Sequence, residues 1–301
     1  MFENRTAAEK RKILRDGLAS GKLLQFPGAF SPLIAKEIEK IGFDGVYISG
    51  AGVAADLGLP DIGLTTLNEA AGRGHQIARA TDLPCLIDAD TGFGEPMNVA
   101  RTLRMLEDMG IAACHIEDQV NPKRCGHLDH KSVVPVEVMI QRLKAALSAR
   151  RDANFTIVAR TDARALEGLD ATIERAKAYG DAGADVIFPE ALQDEGEFER
   201  FRASISLPLL ANMTEFGKSP LLTASQLESL GYNIVIYPVT ALRLAMRAAS
   251  DGLRSIRETG AQHQIIDAMQ TRAELYELLR YEDYNQFDEN IFNFKLPASG
   301  S

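Results

Sequence analysis

Gly110-Ile111-Ala112-Ala113-Cys114-His115-Ile116-Glu117-Asp118 is the stretch that decides the fold: a helix-stop glycine, a short apolar run, then an imidazole and two acids. The same order recurs on both sides of it. Short apolar or β-branched runs lie at 23–26, 46–48, 85–87, 112–116, 155–159, 186–188, 209–211 and 234–237. Between them, helical periodicity covers 32–41, 67–80, 97–109, 136–150, 169–182, 195–204 and 224–230, and Gly42, Gly110, Gly183 and Gly231 supply the expected stops. Strands that alternate with helices form a parallel sheet, because parallel neighbours need a crossover. Eight such units in about 240 residues match a closed (β/α)8 TIM-type barrel better than an open doubly wound sheet. No G-x-G-x-x-G follows the first strand, so the dinucleotide fingerprint is absent.

No linker interrupts this pattern, so the chain reads as one domain over 1–301, with a core at about 20–258 and a helical extension at about 259–295. An eighth helix is expected at 241–257 and another helical segment at 263–281, ahead of a Phe- and Asn-rich tail. A closed barrel has no slot for the added helix, which predicts docking on a neighbouring subunit. Two strand-to-helix connections are long, 50–66 and 118–135, as functional loops tend to be.

Barrel strands deliver their last residues to one rim, where barrel enzymes keep their chemistry. Here those residues are Ser49-Gly50, Asp88-Ala89-Asp90, His115 to Asp118, Arg160-Thr161-Asp162, Glu190, Asn212-Met213-Thr214 and Tyr237-Pro238. Asp88 and Asp90 are two apart on a strand and share a face. With Glu117 and Glu190 they make an oxygen-rich site that suits Mg²⁺ or Mn²⁺. Arg160, Arg243 and Arg272 are candidate carboxylate clamps, since guanidinium binds carboxylate in a bidentate fork. In the long fourth loop, Lys123-Arg124-Cys125-Gly126-His127 sets two cations and an imidazole beside a cysteine, the environment that favours a thiolate. Cys85 and Cys114 fall inside apolar runs and read as core residues. His115 shares the rim strand with Glu117, and support of the site and plain packing are both open for it.

Composition narrows the function classes. Of 301 residues, 46% are hydrophobic and 25% charged, which fits a folded globular chain and excludes a disordered or collagen-like one. Lys and Arg number 33 against 42 Asp and Glu, a net charge of −9 that disfavours nucleic-acid binding. The odd count of three cysteines argues against a disulfide framework. The charged opening residues do not resemble a secretory signal, and no apolar run approaches the roughly 18 residues of a membrane span. The expectation is a cytoplasmic protein with reduced thiols.

These motifs resemble the isocitrate lyase and phosphoenolpyruvate mutase superfamily over nearly the whole chain. The match runs through Ser49-Gly50, Asp88 to Gly94, His115 to Gln119, Lys123 to His127, Ala159 to Ala163, Phe188 to Ala191, Asn212 to Gly217 and Met269 to Arg272. The K-R-C-G-H loop points to the carbon–carbon lyase branch, in particular its methylisocitrate-cleaving members. The resemblance implies Mg²⁺-dependent cleavage of the tricarboxylate (2S,3R)-2-methylisocitrate into pyruvate and succinate, in a homotetramer with exchanged C-terminal helices. It implies that Asp88 and Asp90 hold the metal with Glu117 in support. Ser49, Gly50 and Ala51 would hold the pyruvyl part; the family often has glycine at Ala51. Arg160 would grip a carboxylate, with Glu190, Asn212, Thr214, Arg243 and Arg272 completing the substrate site. Cys125, Gly126 and His127 would form the catalytic loop, Cys125 protonating the departing carbanion. The base is left open between Tyr47 and a metal-bound hydroxide. Isocitrate as substrate, a decarboxylase or phosphonate activity, and a catalytically silent binding barrel are the competing readings.

Overall fold

A computed structural model describes residues 4–126 and 131–293, which fall into two compact units divided between Ala245 and Met246. The first unit contains eight strands: β1 (Leu24–Pro27), β2 (Val46–Ile48), β3 (Cys85–Asp88), β4 (Ala113–Glu117), β5 (Thr156–Thr161), β6 (Val186–Pro189), β7 (Leu210–Asn212) and β8 (Ile234–Tyr237). Each lies within two residues of its expected place. All ladders are parallel, in the orders β1-β8-β7 and β2-β3-β4-β5-β6. Single parallel bridges, Gly28 to Tyr47 and Ile187 to Leu209, join the two groups and close the ring. The TIM-type barrel is therefore present.

Strand alternation sorts the side chains into two cores. Val46, Ile48, Cys85, Ile87, Cys114, Ile116, Ile157, Ala159 and Ile187 pack outward under the helices. Phe26, Tyr47, Leu86, Ala113, Val158, Phe188, Leu210 and Ile236 fill the interior. The next inward positions along the same strands are Asp88, His115, Glu117, Arg160 and Asn212. Apolar packing at one end of the barrel thus fixes the bearing of the charged groups at the other.

Two helices outside the sequence reading complete this unit. Ala7–Ala19 sends Leu14 and Leu18 into the interior core, and its Thr6–Glu9 capping box is visible in the sequence as T-x-x-E. Gly50–Asp56 is capped by Ser49 directly after β2. The helix expected at 169–182 begins earlier, at Arg164–Asp181, but turns sharply at Gly168, where φ is 84°. The four expected stop glycines all have positive φ, between 82° and 108°.

The boundary between the units falls within the helix Thr240–Thr259, the expected eighth. The single helical segment expected at 263–281 is corrected to a 3-10 turn at Ile266–Ala268 and a seven-residue helix, Arg272–Leu278. Thr271 opens the latter with a capping box to Glu274, and Arg280 ends the run in the left-handed region, with φ 57°. The segment read as a tail forms a further helix, Tyr281–Phe292.

Candidate active site

A cavity of about 120 Å³ lies at the C-terminal ends of the strands. Of the residues singled out in the sequence, Tyr47, Ser49, Ala51, Asp88, Cys125, Gly126, Arg160, Glu190, Asn212, Thr214 and Arg243 line it. Arg272 begins a helix of the second unit, and His127 lies outside the described residues.

Glycine appears where backbone must pass close to a charged side chain. A Cβ on Gly50 would stand 2.7 Å from Asp88 Oδ2. Without it, the Gly50 amide donates to that oxygen at 3.3 Å. Ala51 lies one residue further into the helix and is absent from the positive-φ residues, so alanine fits without strain.

The carboxylates are buried at the ends of β3 and β4. Asp88 Oδ1 accepts the Asp90 amide at 2.9 Å. Burial alone would raise Asp88, but His115, Lys123 and Arg160 outweigh it and hold the acid at about 2. Burial dominates at Asp90, which rises to about 6 although Lys123 opposes the shift. Burial also pushes Glu117 well above the usual range. Among the described residues, neither Glu117 oxygen has a hydrogen-bond partner, and the nearest cation is Arg160 Nε at 3.4 Å. Asp90 and Glu117, whose ionised forms burial penalises, have acceptor capacity that a hard divalent cation would take up, while among the described residues no three acid, His or Cys side chains already stand grouped around a metal position.

Lys123 differs from the sequence reading. Its ammonium reaches Asp61 Oδ1 at 2.5 Å and Asp90 Oδ1 at 2.8 Å, so it serves as counter-charge to the acids. Asp61 lies in the long second loop, where no periodicity or motif marked it. Burial works against the Lys123 charge, but these acids and Asp88 raise its pKa, so it stays an ammonium.

Arg160 anchors the opposite wall. It donates to both oxygens of Asp162, Nε to Oδ2 at 2.9 Å and Nη2 to Oδ1 at 3.1 Å. Its Nη2 is 3.2 Å from Glu190 Oε2, and the guanidinium lies 5.1 Å from the Phe188 ring centroid. Asn212 Nδ2 donates to Glu190 Oε2 at 3.2 Å. Arg243, about half exposed, is 3.5 Å from Glu215.

His115 belongs to the site's support. Its Nε2 shares a 2.8 Å hydrogen bond with Tyr47 Oη, and Nδ1 is 3.6 Å from Asp88 Oδ1. Burial lowers the imidazole to about 4, leaving it neutral at pH 7. Burial, reinforced by the Asp88 charge, pushes the Tyr47 phenol well up, so it keeps its proton. Cys125 is half-buried, whereas Cys85 and Cys114 are buried as expected, the former's thiol pushed up by burial to about 12.

Comparison with known proteins places this geometry. A family model described as phosphoenolpyruvate phosphomutase matches residues 14–257. The chain belongs to the phosphoenolpyruvate phosphomutase family. Probable 2-methylisocitrate lyase 2 of Corynebacterium glutamicum is 61% identical over 290 residues, spanning 96% of this chain and 94% of that protein. The 2-methylisocitrate lyase of Bacillus subtilis is 48% identical, over 93% of this chain and 92% of that one. Phosphonopyruvate hydrolase, solved in complex with oxalate and Mg²⁺, gives a TM-score of 0.87 at 29% identity, covering 94% of this chain and 99% of that chain.

In this phosphomutase-family barrel, Gly126 yields a direct test of the wall's geometry. A Cβ there would lie 2.4 Å from Arg160 Nη2 and 2.5 Å from Glu190 Cγ. Close approach, rather than a special backbone angle, is what requires glycine at this position. Gly126→Ala is expected to lower kcat about 100-fold, the scale of a 1 Å misplacement, and to lower the melting temperature, since buried Arg160 and Glu190 must shift to admit the methyl group. Steady-state kinetics with a thermal melt would check it.

Proposed function

We propose that this chain is a divalent-metal-dependent carbon–carbon lyase that cleaves (2S,3R)-2-methylisocitrate into pyruvate and succinate. The carrying observation is the presence of Cys125, Arg160 and Asp88 in one cavity, in a chain whose relatives named 2-methylisocitrate lyase match more than nine-tenths of its length. The chemistry places the reaction within propionate breakdown by the methylcitrate cycle. We place the protein in the cytoplasm; among the described residues no helix is long and apolar enough to cross a membrane.

Asp88, Asp90 and Glu117 would hold the metal. Bound Mg²⁺, or Mn²⁺ in its place, supplies Lewis acidity toward the substrate's hydroxyl and carboxylate oxygens. Arg160 and Arg243 bind carboxylates of the tricarboxylate, and Ser49 with the Gly50 and Ala51 backbone holds the pyruvyl end. Tyr47 keeps its proton at Oη, oriented by His115, and offers the reacting oxygen a hydrogen bond. A solvent hydroxide held in the site would take the hydroxyl proton as water; the oxygen's freed pair forms the ketone of pyruvate, and the bond between the hydroxyl-bearing carbon and its neighbour breaks with its electron pair passing to the succinyl carbon. Arg160, Asn212 and Thr214 stabilise the negative charge that spreads onto the adjoining carboxylate. The Cys125 Sγ proton then moves to that carbon, giving succinate.

Met246, Leu253, Ile266 and Phe292 of the second unit are exposed in the single chain. This exposed apolar surface supports a homotetramer with exchanged C-terminal helices, in which Arg272 would complete a substrate site.

The test is product release with 2-methylisocitrate and isocitrate side by side. Pyruvate should appear from the first with kcat/KM at least about tenfold above glyoxylate release from the second, the scale on which a pocket reads one methyl group. Faster glyoxylate release would reassign the substrate, and no release from either would sink the lyase reading.

A further inference from the structure

Behind the active-site wall lies a buried cation that the mechanism above does not use. Lys131 lies six residues beyond Cys125, and its side chain is 2% exposed. Its Nζ donates to the Gly126 carbonyl at 2.5 Å and to Asp162 Oδ1 at 3.0 Å. Asp162 is the acid that receives both Arg160 donors. Its other neighbours are fixed in turn: the Asp162 amide donates to Asp118 Oδ1 at 2.9 Å, and Asp118 Oδ2 accepts from Thr161 and Tyr179 at 2.8 Å each. One ammonium therefore joins the backbone next to Cys125 to a rigid buried frame that also aims Arg160.

We propose that Lys131 is a positioning residue for the cleavage reaction, setting the Cys125 thiol over the carbon it protonates by tying Gly126 to the Asp162–Arg160 pair. Gly126 packs so closely on Arg160, Glu190 and Asp162 that no Cβ fits, so the carbonyl has little freedom to find another donor. A buried carbonyl left without a donor carries its full desolvation penalty, enough to move the segment instead. Asp162, when shared between two cations, leaves Arg160 more of its positive charge for substrate.

This inference rests on the lyase reading only for its kinetic arm. The arms are kcat and KM with 2-methylisocitrate and the rate of Cys125 alkylation by iodoacetamide in the folded protein, where Cys85 and Cys114 are buried. Lys131→Met should lower kcat tenfold or more, change KM less than threefold, and speed Cys125 alkylation at least threefold by releasing the segment. Lys131→Gln keeps a polar group in the space without the charge and is read the same way should Lys131→Met not fold. A folded variant whose alkylation rate equals that of the unaltered protein overturns the proposal, whatever its kcat. So does a faster alkylation rate with kcat unchanged. An unaltered protein that releases no pyruvate defeats the lyase reading, while the alkylation contrast still reports whether Lys131 anchors the segment.

Discussion

Cys125→Ser is expected to lower kcat about 1,000-fold while metal and pyruvate binding stay within threefold. The size follows from the role. A positioned proton donor contributes roughly 100- to 10,000-fold, and a serine hydroxyl is a far weaker acid than a thiol. The exchange of sulfur for oxygen is nearly isosteric in a half-buried position, so the backbone at Gly126 and its contact with Arg160 are retained. Other cysteines cannot take over, because Cys85 and Cys114 lie on β3 and β4 with their side chains in the outer core. The measurement is single-turnover pyruvate release with isothermal titration of pyruvate. Cleavage within tenfold of the unaltered protein would remove Cys125 from the proton transfer.

The position of that thiol was legible in the sequence to the extent that local pattern determines it. Strand positions follow from apolar runs bounded by glycine and acids, so each strand stands within two residues of its expected place. The inward set, Tyr47, Asp88, Glu117, Arg160 and Asn212, follows from period-two alternation once the strands are placed. Long-range pairing is a different matter. Nothing local says that Lys123 would leave Cys125 for Asp61 and Asp90, because that depends on where two long loops cross. The helix Ala7–Ala19 was missed although Thr6-x-x-Glu9 announces it, and Thr271-x-x-Glu274 likewise marks the break inside 263–281. His115 was open between two roles because its partner, Tyr47, lies 68 residues away and shares only the barrel interior.

Chelation by EDTA is expected to reduce activity below about 1%, with Mg²⁺ or Mn²⁺ restoring it, and Asp88→Asn to weaken metal binding at least 100-fold. The acids need compensation that the protein supplies only in part. Lys123 answers Asp61 and Asp90, and Arg160 approaches Glu117 no closer than 3.4 Å. A divalent cation supplies the missing charge, and loss of its Lewis acidity removes several kcal/mol of transition-state stabilisation, each 1.36 kcal/mol being about tenfold. Asp88 is the sensitive member for a geometric reason. Both of its oxygens accept backbone amides, Asp90 on Oδ1 and Gly50 on Oδ2. Asparagine must turn an NH₂ toward one of these donors, so the substitution misaligns the group as well as removing a charge. Mn²⁺ titration followed by electron paramagnetic resonance reads the affinity without any turnover. Asp88→Asn that binds Mn²⁺ as tightly as the unaltered protein would move the metal away from Asp88, and full activity in metal-free buffer would remove it from the reaction.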